Sequence, residues 1–161
     1  MADTPTTGNT AAAGPSDALR LRAEDGEDLA VISACLQDAL VPVRDLAYDR
    51  DGRTFILVAN RFRWEARPDD ARAYERVLCG VAFDAIDGVA YRGFRRNEED
   101  RILALLAIRA RGTTPDLTID LEFAAGATIR LSAAAINCRV RDFGEPWPTS
   151  WQPGHETGAP E

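Results

Sequence analysis

Lysine is absent from this chain of 161 residues, and all 19 of its basic residues are arginine. Without lysine the chain cannot carry a P-loop, the strand lysine of protein kinases or a Schiff base with a carbonyl cofactor. Histidine is nearly absent too. The single His155 excludes a multi-histidine metal site, and it lies in a proline-containing end where a catalytic triad would lack rigid support. These absences favour a protein without catalytic activity, and we expect no metal and no cofactor.

Long apolar runs are also missing. The longest, Ile102 to Ile108, is far shorter than the roughly 20 residues of a membrane span. The first residues show neither the basic nor the apolar region of a secretory signal. We therefore expect a cytoplasmic protein without membrane association. Cys35, Cys79 and Cys138 stand singly among apolar neighbours, which favours buried reduced thiols over disulfides or zinc ligands.

The charge is uneven along the chain. The sequence has 26 acidic residues and a net charge of −7, and the two ends contain acidic residues but no arginine. We expect residues 1–17 to form a disordered tail and residues 18–144 to form a single, nearly neutral α+β domain. Residues 145–161 contain four prolines with Trp147 and Trp151. They form either a strap over one end of the sheet or a segment that docks on a partner or a second copy.

The domain opens with a strand and a helix. Leu19 to Arg22 alternates apolar and charged residues, and Asp25 is positioned to cap the helix that follows. Leu29, Ile32, Leu36 and Leu40 recur at helical spacing. We therefore expect one N-terminal amphipathic helix of about three turns that ends before Pro42.

After position 42 the apolar residues recur at every second position, as in β-strands. Val43 to Asp49 and Arg53 to Trp64 flank Asp51-Gly52 and predict a hairpin. The apolar stretch Phe55 to Val58 predicts burial on both faces of that strand. Val77 to Phe83 and Val89 to Phe94 predict a second pair, which turns at Asp84-Ala85 or at Asp87-Gly88. Residues 101–111 fit either a strand or a helix.

The last part of the domain shows the clearest alternation. Leu117 to Phe123 and Ile129 to Leu131 predict two strands, and Ile136 to Val140 continues the meander. We expect Asp120 and Glu122 to pair across strands with Arg130, Arg139 and Arg141. The predicted fold class is thus α+β: a mainly antiparallel meander sheet of six to eight strands that wraps the helix or curls toward a barrel.

The order of these landmarks resembles a known family. The matching segments are Glu27 to Ser33, Leu36 to Ala39, Asp45 to Tyr48, Asn60 to Glu65, Leu103 to Ile108, Leu121 to Phe123, Ile129 to Leu131 and Pro146 to Thr149. Together they resemble the uncharacterised bacterial proteins of domain-of-unknown-function family 2948, over about residues 19–155. The resemblance implies a small cytoplasmic bacterial protein without an assigned activity, and it transfers no functional residue.

Arginines and aromatic residues are interleaved in two segments. The first contains Arg61, Arg63 and Trp64, and the second contains Arg92, Arg95 and Arg96. Rings and guanidinium groups on a sheet can hold an anion or single-stranded nucleic acid. Nearby carboxylates nearly neutralise both segments, which argues against nucleic acid because that binding depends on uncompensated charge. With Trp147 and Trp151, these residues are the candidate ligand-binding or partner-binding set.

We therefore expect a non-catalytic binding or accessory domain that acts on a protein partner or as a homo-oligomer. The alternative is an enzyme-like domain that binds a small molecule or an anion with the arginines of the sheet. The alternative requires that the arginines of the two aromatic segments converge on one concavity.

Overall fold

Alternating apolar and polar residues fold the chain into a large antiparallel sheet with one helix. The structure, a computed structural model, describes residues 18–65 and 74–149. Its elements, in chain order, are β1 (Arg20–Ala23), α1 (Gly26–Cys35), β2 (Leu40–Pro42), β3 (Leu46–Asp49), β4 (Thr54–Phe62), β5 (Glu75–Phe83), β6 (Ile86–Arg92), β7 (Ile102–Arg111), β8 (Thr118–Phe123), β9 (Thr128–Ala133) and β10 (Cys138–Pro148). The mainly antiparallel sheet with one helix is as predicted.

The sheet has the strand order β1-β10-β5-β4-β2-β7-β8-β9-β6, and β3 pairs with β4. Strands β1 and β6 end this order and do not pair with each other, so the described sheet is not closed and the second of the two expected forms, the barrel, is wrong. The ten strands also exceed the expected six to eight. Strand β2 is only three residues long, and a segment this short shows too few alternations to be recognised in a sequence.

Helix α1 follows β1 and begins as predicted. The side chain of Asp25 accepts a hydrogen bond from the amide of Asp28 at 2.8 Å, which satisfies one of the free donors of the first turn. Leu29 and Ile32 face the core and are buried. The helix therefore contributes one apolar face to the interior.

The helix ends at Cys35, earlier than predicted, and Leu40 belongs to β2. Asp38 adopts a left-handed backbone conformation with a φ of 66°. Its amide donates a hydrogen bond to the carbonyl of Leu105 in β7 at 2.7 Å. Pairing with β7 thus turns the chain out of the helix.

The predicted hairpin around Asp51-Gly52 is confirmed, with Asp49 of β3 opposite Thr54 of β4. Residues 101–111 fall almost entirely in the long strand β7, which settles the choice between a strand and a helix. In β4, Ile56 is 41% exposed. The prediction that this strand is covered on both faces is therefore wrong, because Ile56 lies on the outer face of the sheet.

Two predicted strand neighbours are wrong. The chain turns at Asp84-Ala85, but β5 pairs with β4 and β10, and β6 pairs with β9. Strand β10 does not continue the meander beside β9, because it crosses to pair with β1 and β5. Alternation determines which face of a strand is buried, but it does not determine which strand lies beside it.

A single core fills the space between the two halves of the sheet. Inward-facing residues of β4, β5 and β10 join those of β7, β8 and β9, and α1 adds its apolar face, in one cluster of buried side chains. The described part of the chain contains no helix with the length and apolar character of a membrane span.

Candidate functional site

Arg61 lies on the core side of β4 and has no solvent exposure. Its Nε and Nη2 donate to the two carboxylate oxygens of Asp142 at 2.9 and 2.8 Å. Nη1 and Nη2 donate to Glu65 at 3.0 and 2.7 Å, and Nη1 also donates to the carbonyl of Phe62 at 3.3 Å. A guanidinium has five N–H donors, so these five contacts occupy all of them.

The surroundings of Arg61 keep it charged. Burial alone would lower its pKa, but hydrogen bonds to Asp142 and Glu65 outweigh burial and raise the pKa above its ordinary range. Asp142 also accepts a hydrogen bond from the amide of Leu19 at 2.9 Å. The cluster therefore ties β4, β10 and the start of β1 together, and it offers an incoming ligand no free donor.

Arg63 and Trp64 are also held by neighbours within the fold. Arg63 donates to the carboxylate of Glu75, and the indole nitrogen of Trp64 donates to the carbonyl of Gln37 at 3.2 Å. The Trp64 ring contacts Phe62 edge to face at 4.8 Å. These contacts cover the end of β4 and β5.

The second arginine group lies at one end of the strand order, on β6 and the loop after it. Arg96 donates to the hydroxyl of Tyr91 at 2.8 Å and to the carbonyl of Leu46 at 3.1 Å. Arg92 lines a shallow groove of about 190 Å³ with Thr128 and Arg130. Arg95 is exposed.

The structure therefore does not bring the two predicted arginine groups together, since one lies inside and around β4 and the other on β6. Trp147 lies in β10 opposite Arg76 and is 36% exposed. Trp151 and His155 fall outside the described residues. Binding by this predicted set stays a prediction.

A different set of arginines does converge. On the outer face of the sheet, Arg20 and Arg22 of β1 lie directly opposite Arg141 and Arg139 of β10, respectively. Opposed side chains in an antiparallel pair are about 5 Å apart at Cβ, and alternate residues along a strand are about 7 Å apart. We call these four residues, Arg20, Arg22, Arg139 and Arg141, the arginine face.

Few carboxylates neutralise the arginine face. Arg139 pairs with Asp84 at 3.0 Å, and Arg22 lies 3.5 Å from Glu24. Arg20 and Arg141 form no ion pair with any residue the structure describes. Like charges directly opposite each other destabilise a sheet, so Arg20 and Arg141 repel each other.

A shallow groove of about 350 Å³ runs along the arginine face. Its floor is formed by Gly80 and Ala82 of β5, which lie opposite Arg141 and Arg139. Their small side chains leave room beside the long arginines. Exposed Leu78 and Phe143 continue the same outer face beyond the groove.

The alternating arginines at positions 20 and 22 and at positions 139 and 141 are a sequence signal for the arginine face, but other partners were expected for Arg139 and Arg141. Arg139 and Arg141 were expected opposite Asp120 and Glu122, but Asp120 pairs with Arg130 at 2.8 Å and Glu122 pairs with Arg109 at 3.1 Å. The expected Asp120–Arg130 pair is confirmed, whereas the expected acidic partners of Arg139 and Arg141 are wrong. Strand β1 lies beside Arg139 and Arg141 only because β10 crosses over to pair with it, and the sequence does not show this crossover.

Reactive groups in the described residues are sequestered or dispersed. Cys79 and Cys138 are buried, and burial raises the pKa of each thiol to about 12. Thiols protonated in this way are poor nucleophiles and poor metal ligands. Within residues 18–65 and 74–149, no three His, Cys, Asp or Glu side chains are grouped so as to hold a metal ion.

The fold and the arginine face define a small, open antiparallel-sheet domain with one helix and a basic groove at the sheet edge. The chain belongs to the DUF2948 family, described as protein of unknown function, whose model matches residues 19–155. This match confirms the resemblance seen in the sequence. No curated protein and no solved structure shows significant similarity to the chain.

Proposed function

We propose that this protein is a non-catalytic binding or accessory domain of the bacterial cytoplasm that recognises an anionic ligand through the arginine face. The observation that carries the proposal is the direct opposition of Arg20 and Arg141, neither of which forms an ion pair with a carboxylate of the described residues. An oxyanion between the two guanidinium groups would convert their repulsion into two charge-assisted hydrogen-bond sites.

The facing arginines Arg20 and Arg141 lower the folding stability of the free protein. Like charges directly across a sheet are destabilising, whereas an acidic residue at either position would stabilise the same pair by about 0.2–1 kcal/mol. Functional sites are the usual places where a protein gives up stability in this way. Binding of an anionic ligand gives a physical reason for arginine, rather than an acidic residue, at both position 20 and position 141.

The groove favours binding over catalysis. Its lining consists of the four arginines with Leu21, Gly80, Ala82 and Val140. These side chains supply positive charge and shape, and none of them is a nucleophile or a general base at neutral pH. The cytoplasmic assignment is supported by the three free cysteines, which suit a reducing compartment.

Binding of fluorescein-labelled octa-glutamate, followed by fluorescence polarisation at low salt, tests the proposal. We expect binding that weakens as salt is added and that inorganic pyrophosphate displaces. The double variant Arg20→Gln/Arg141→Gln removes two charges from the arginine face and should weaken binding at least about tenfold. Removal of two charge-assisted hydrogen-bond donors is sufficient for a loss of this size.

A charge-matched variant provides the control. Arg50→Gln/Arg109→Gln removes two exposed arginines elsewhere on the fold, where Arg50 lies over the Tyr48 ring and Arg109 is paired with Glu122. We expect this variant to bind within about twofold of the wild type, a difference of less than about 0.5 kcal/mol. Equal losses in both double variants, or no binding by the wild type, would overturn the proposal.

A further inference from the structure

Within residues 18–65 and 74–149, one edge of β1 has no strand beside it. The amide of Asp142 donates to the carbonyl of Leu19 at 3.0 Å, so residues 19 and 142 form a hydrogen-bonded pair of the antiparallel ladder. Hydrogen-bonded and non-hydrogen-bonded pairs alternate along such a ladder. Arg20 and Arg22 therefore occupy non-hydrogen-bonded pairs with β10, and their own N–H and C=O groups point away from it.

No other described strand uses these groups, because β1 stands at the end of the strand order. The two residues that carry the arginine side chains thus also present two donors and two acceptors of the backbone at the sheet edge. Unpaired edge groups are a template on which a further strand can form. The backbone groups favour an extended segment and the arginine side chains favour an anionic one, so one partner can satisfy both.

We propose, resting on the proposed function, that the anionic ligand is an extended protein segment that adds to β1 as an edge strand. A strand in this position places alternate side chains directly opposite Arg20 and Arg22 on the outer face of the sheet. Acidic residues at these two positions are separated by one residue, so their spacing along the chain matches that of the arginines.

The intervening residue of the partner has a predictable character. It lies opposite Leu21 and points toward the inner face, where Leu21 is half-buried and packs against the core. An apolar side chain is favoured at this position because it would extend the core beyond the sheet edge. The recognised pattern is therefore acidic, apolar, acidic, and it reads the same in a parallel or an antiparallel strand.

A second copy of this chain is a poorer occupant of the edge. Antiparallel pairing of two β1 strands about a two-fold axis at Leu21 would place Arg20 opposite Arg22 of the other copy, and the reverse. The interface would then contain two further pairs of directly opposed like charges, which is destabilising. Charge complementarity selects an acidic segment.

Fluorescence polarisation with short labelled peptides tests strand addition on the full chain. One peptide contains Glu-Val-Glu between Gly-Ser flanks, and the other has the same composition with the order Glu-Glu-Val. We expect the alternating peptide to bind at least about tenfold more tightly. Only that peptide places both carboxylates on the outer face and valine on the inner face.

Peptide N-methylation then tests the backbone contacts without any change to the protein. In an antiparallel complex, a methyl group on a glutamate amide blocks a hydrogen bond to β1, and a methyl group on the valine amide points away from β1. In a parallel complex the two positions exchange roles, because the residue opposite Leu21 then bonds Arg20 and Arg22. We expect methylation at one kind of position, glutamate or valine, to weaken binding about tenfold or more and methylation at the other to weaken it about twofold or less.

The outcomes separate this proposal from the proposed function. If octa-glutamate and pyrophosphate bind but the two peptides bind equally, or N-methylation has the same effect at glutamate and at valine, the anion site stands and strand addition is wrong. If no anionic probe binds, the proposed function itself is wrong. Dimerisation in sedimentation equilibrium that abolishes binding of the alternating peptide would identify a second copy as the occupant, and would overturn the proposal.

Discussion

Replacement of Arg61 by methionine should destabilise the fold severely. Arg61 is fully buried and holds two carboxylates, and the side chain of Asp142 is only 4% exposed. In Arg61→Met, Asp142 keeps the amide of Leu19 as a hydrogen-bond donor but loses the only cation that pairs with it among the described residues. Breaking a buried ion pair by removal of one partner costs about 3–5 kcal/mol.

That loss is large for a domain whose whole stability is about 5–15 kcal/mol. Glu65 should contribute much less, because its side chain is 42% exposed and solvent screens its interaction with Arg61. We expect Glu65→Gln to cost about 1 kcal/mol or less. Arg61 is thus an anchor mainly through Asp142.

Urea unfolding, followed by circular dichroism and tryptophan fluorescence, measures both losses. The double variant Arg61→Met/Asp142→Leu replaces the buried pair with apolar side chains, so it should recover part of the stability lost in Arg61→Met. An Arg61→Met variant within about 1 kcal/mol of the wild type would refute the reasoning. So would a double variant less stable than the single one.

Three other predictions concern strain, thiol reactivity and pH. Gly93 has a φ of +85°, and a Cβ there would lie 2.5 Å from the carbonyl oxygen of Gly126, whereas a Cβ on Gly126 (φ +78°) would meet nothing within 4 Å. Gly93→Ala should therefore cost about 2–3 kcal/mol in a urea melt and Gly126→Ala about 1 kcal/mol, and equal losses would contradict this. The native protein should react with a thiol reagent first at the half-buried Cys35, whereas fast labelling of all three cysteines before unfolding would contradict their burial. A hydrogen bond from Arg130 lowers the pKa of Asp120 below its ordinary 3.8, so its contribution to stability is present above that value and is lost as the pH falls through the lowered pKa. Asp120→Asn should thus flatten the fall in unfolding free energy between about pH 5 and pH 2, and an unchanged slope would refute this.

Much of the local structure could be predicted from the sequence. Alternation assigned the buried faces of β8 and β9, and Asp51-Gly52 located the first hairpin. Asp25 marked the start of the helix. Each of these signals acts over a few residues, and the physics behind them is equally local: pleat, turn geometry and capping.

Strand neighbours could not be predicted in the same way. Alternation at every second residue is satisfied by any neighbour that offers a buried face, so β10 fits beside β9 as well as between β1 and β5. The arginine face exists only through the second arrangement. For this reason Arg139 and Arg141 were assigned acidic partners that belong to other arginines.

Arg61 was not identified from the sequence as a buried residue, because the core side of β4 was not assigned correctly. Counting by two from Phe55 through Leu57 and Ala59 places Arg61 on the core side of β4, and the structure confirms this phase. Because Ile56 and Val58, which lie between these positions, are also apolar, the sequence suggested a strand buried on both faces. The pattern therefore did not show which side of β4 Arg61 occupies. A buried arginine is also rare, since its burial requires carboxylates that lie far away in the chain.

A double-mutant cycle between Arg20 and Arg141 tests the central claim of this account most directly. The unfolding free energies of the wild type, Arg20→Gln, Arg141→Gln and the double variant, measured at low ionic strength, give the coupling between the two arginines. We predict a repulsive coupling of about 0.2–1 kcal/mol in the free protein, reduced or reversed when inorganic pyrophosphate is added. A coupling that is zero or attractive without an anion, and unchanged by pyrophosphate, would contradict the claim that the arginine face is built to hold an anionic ligand.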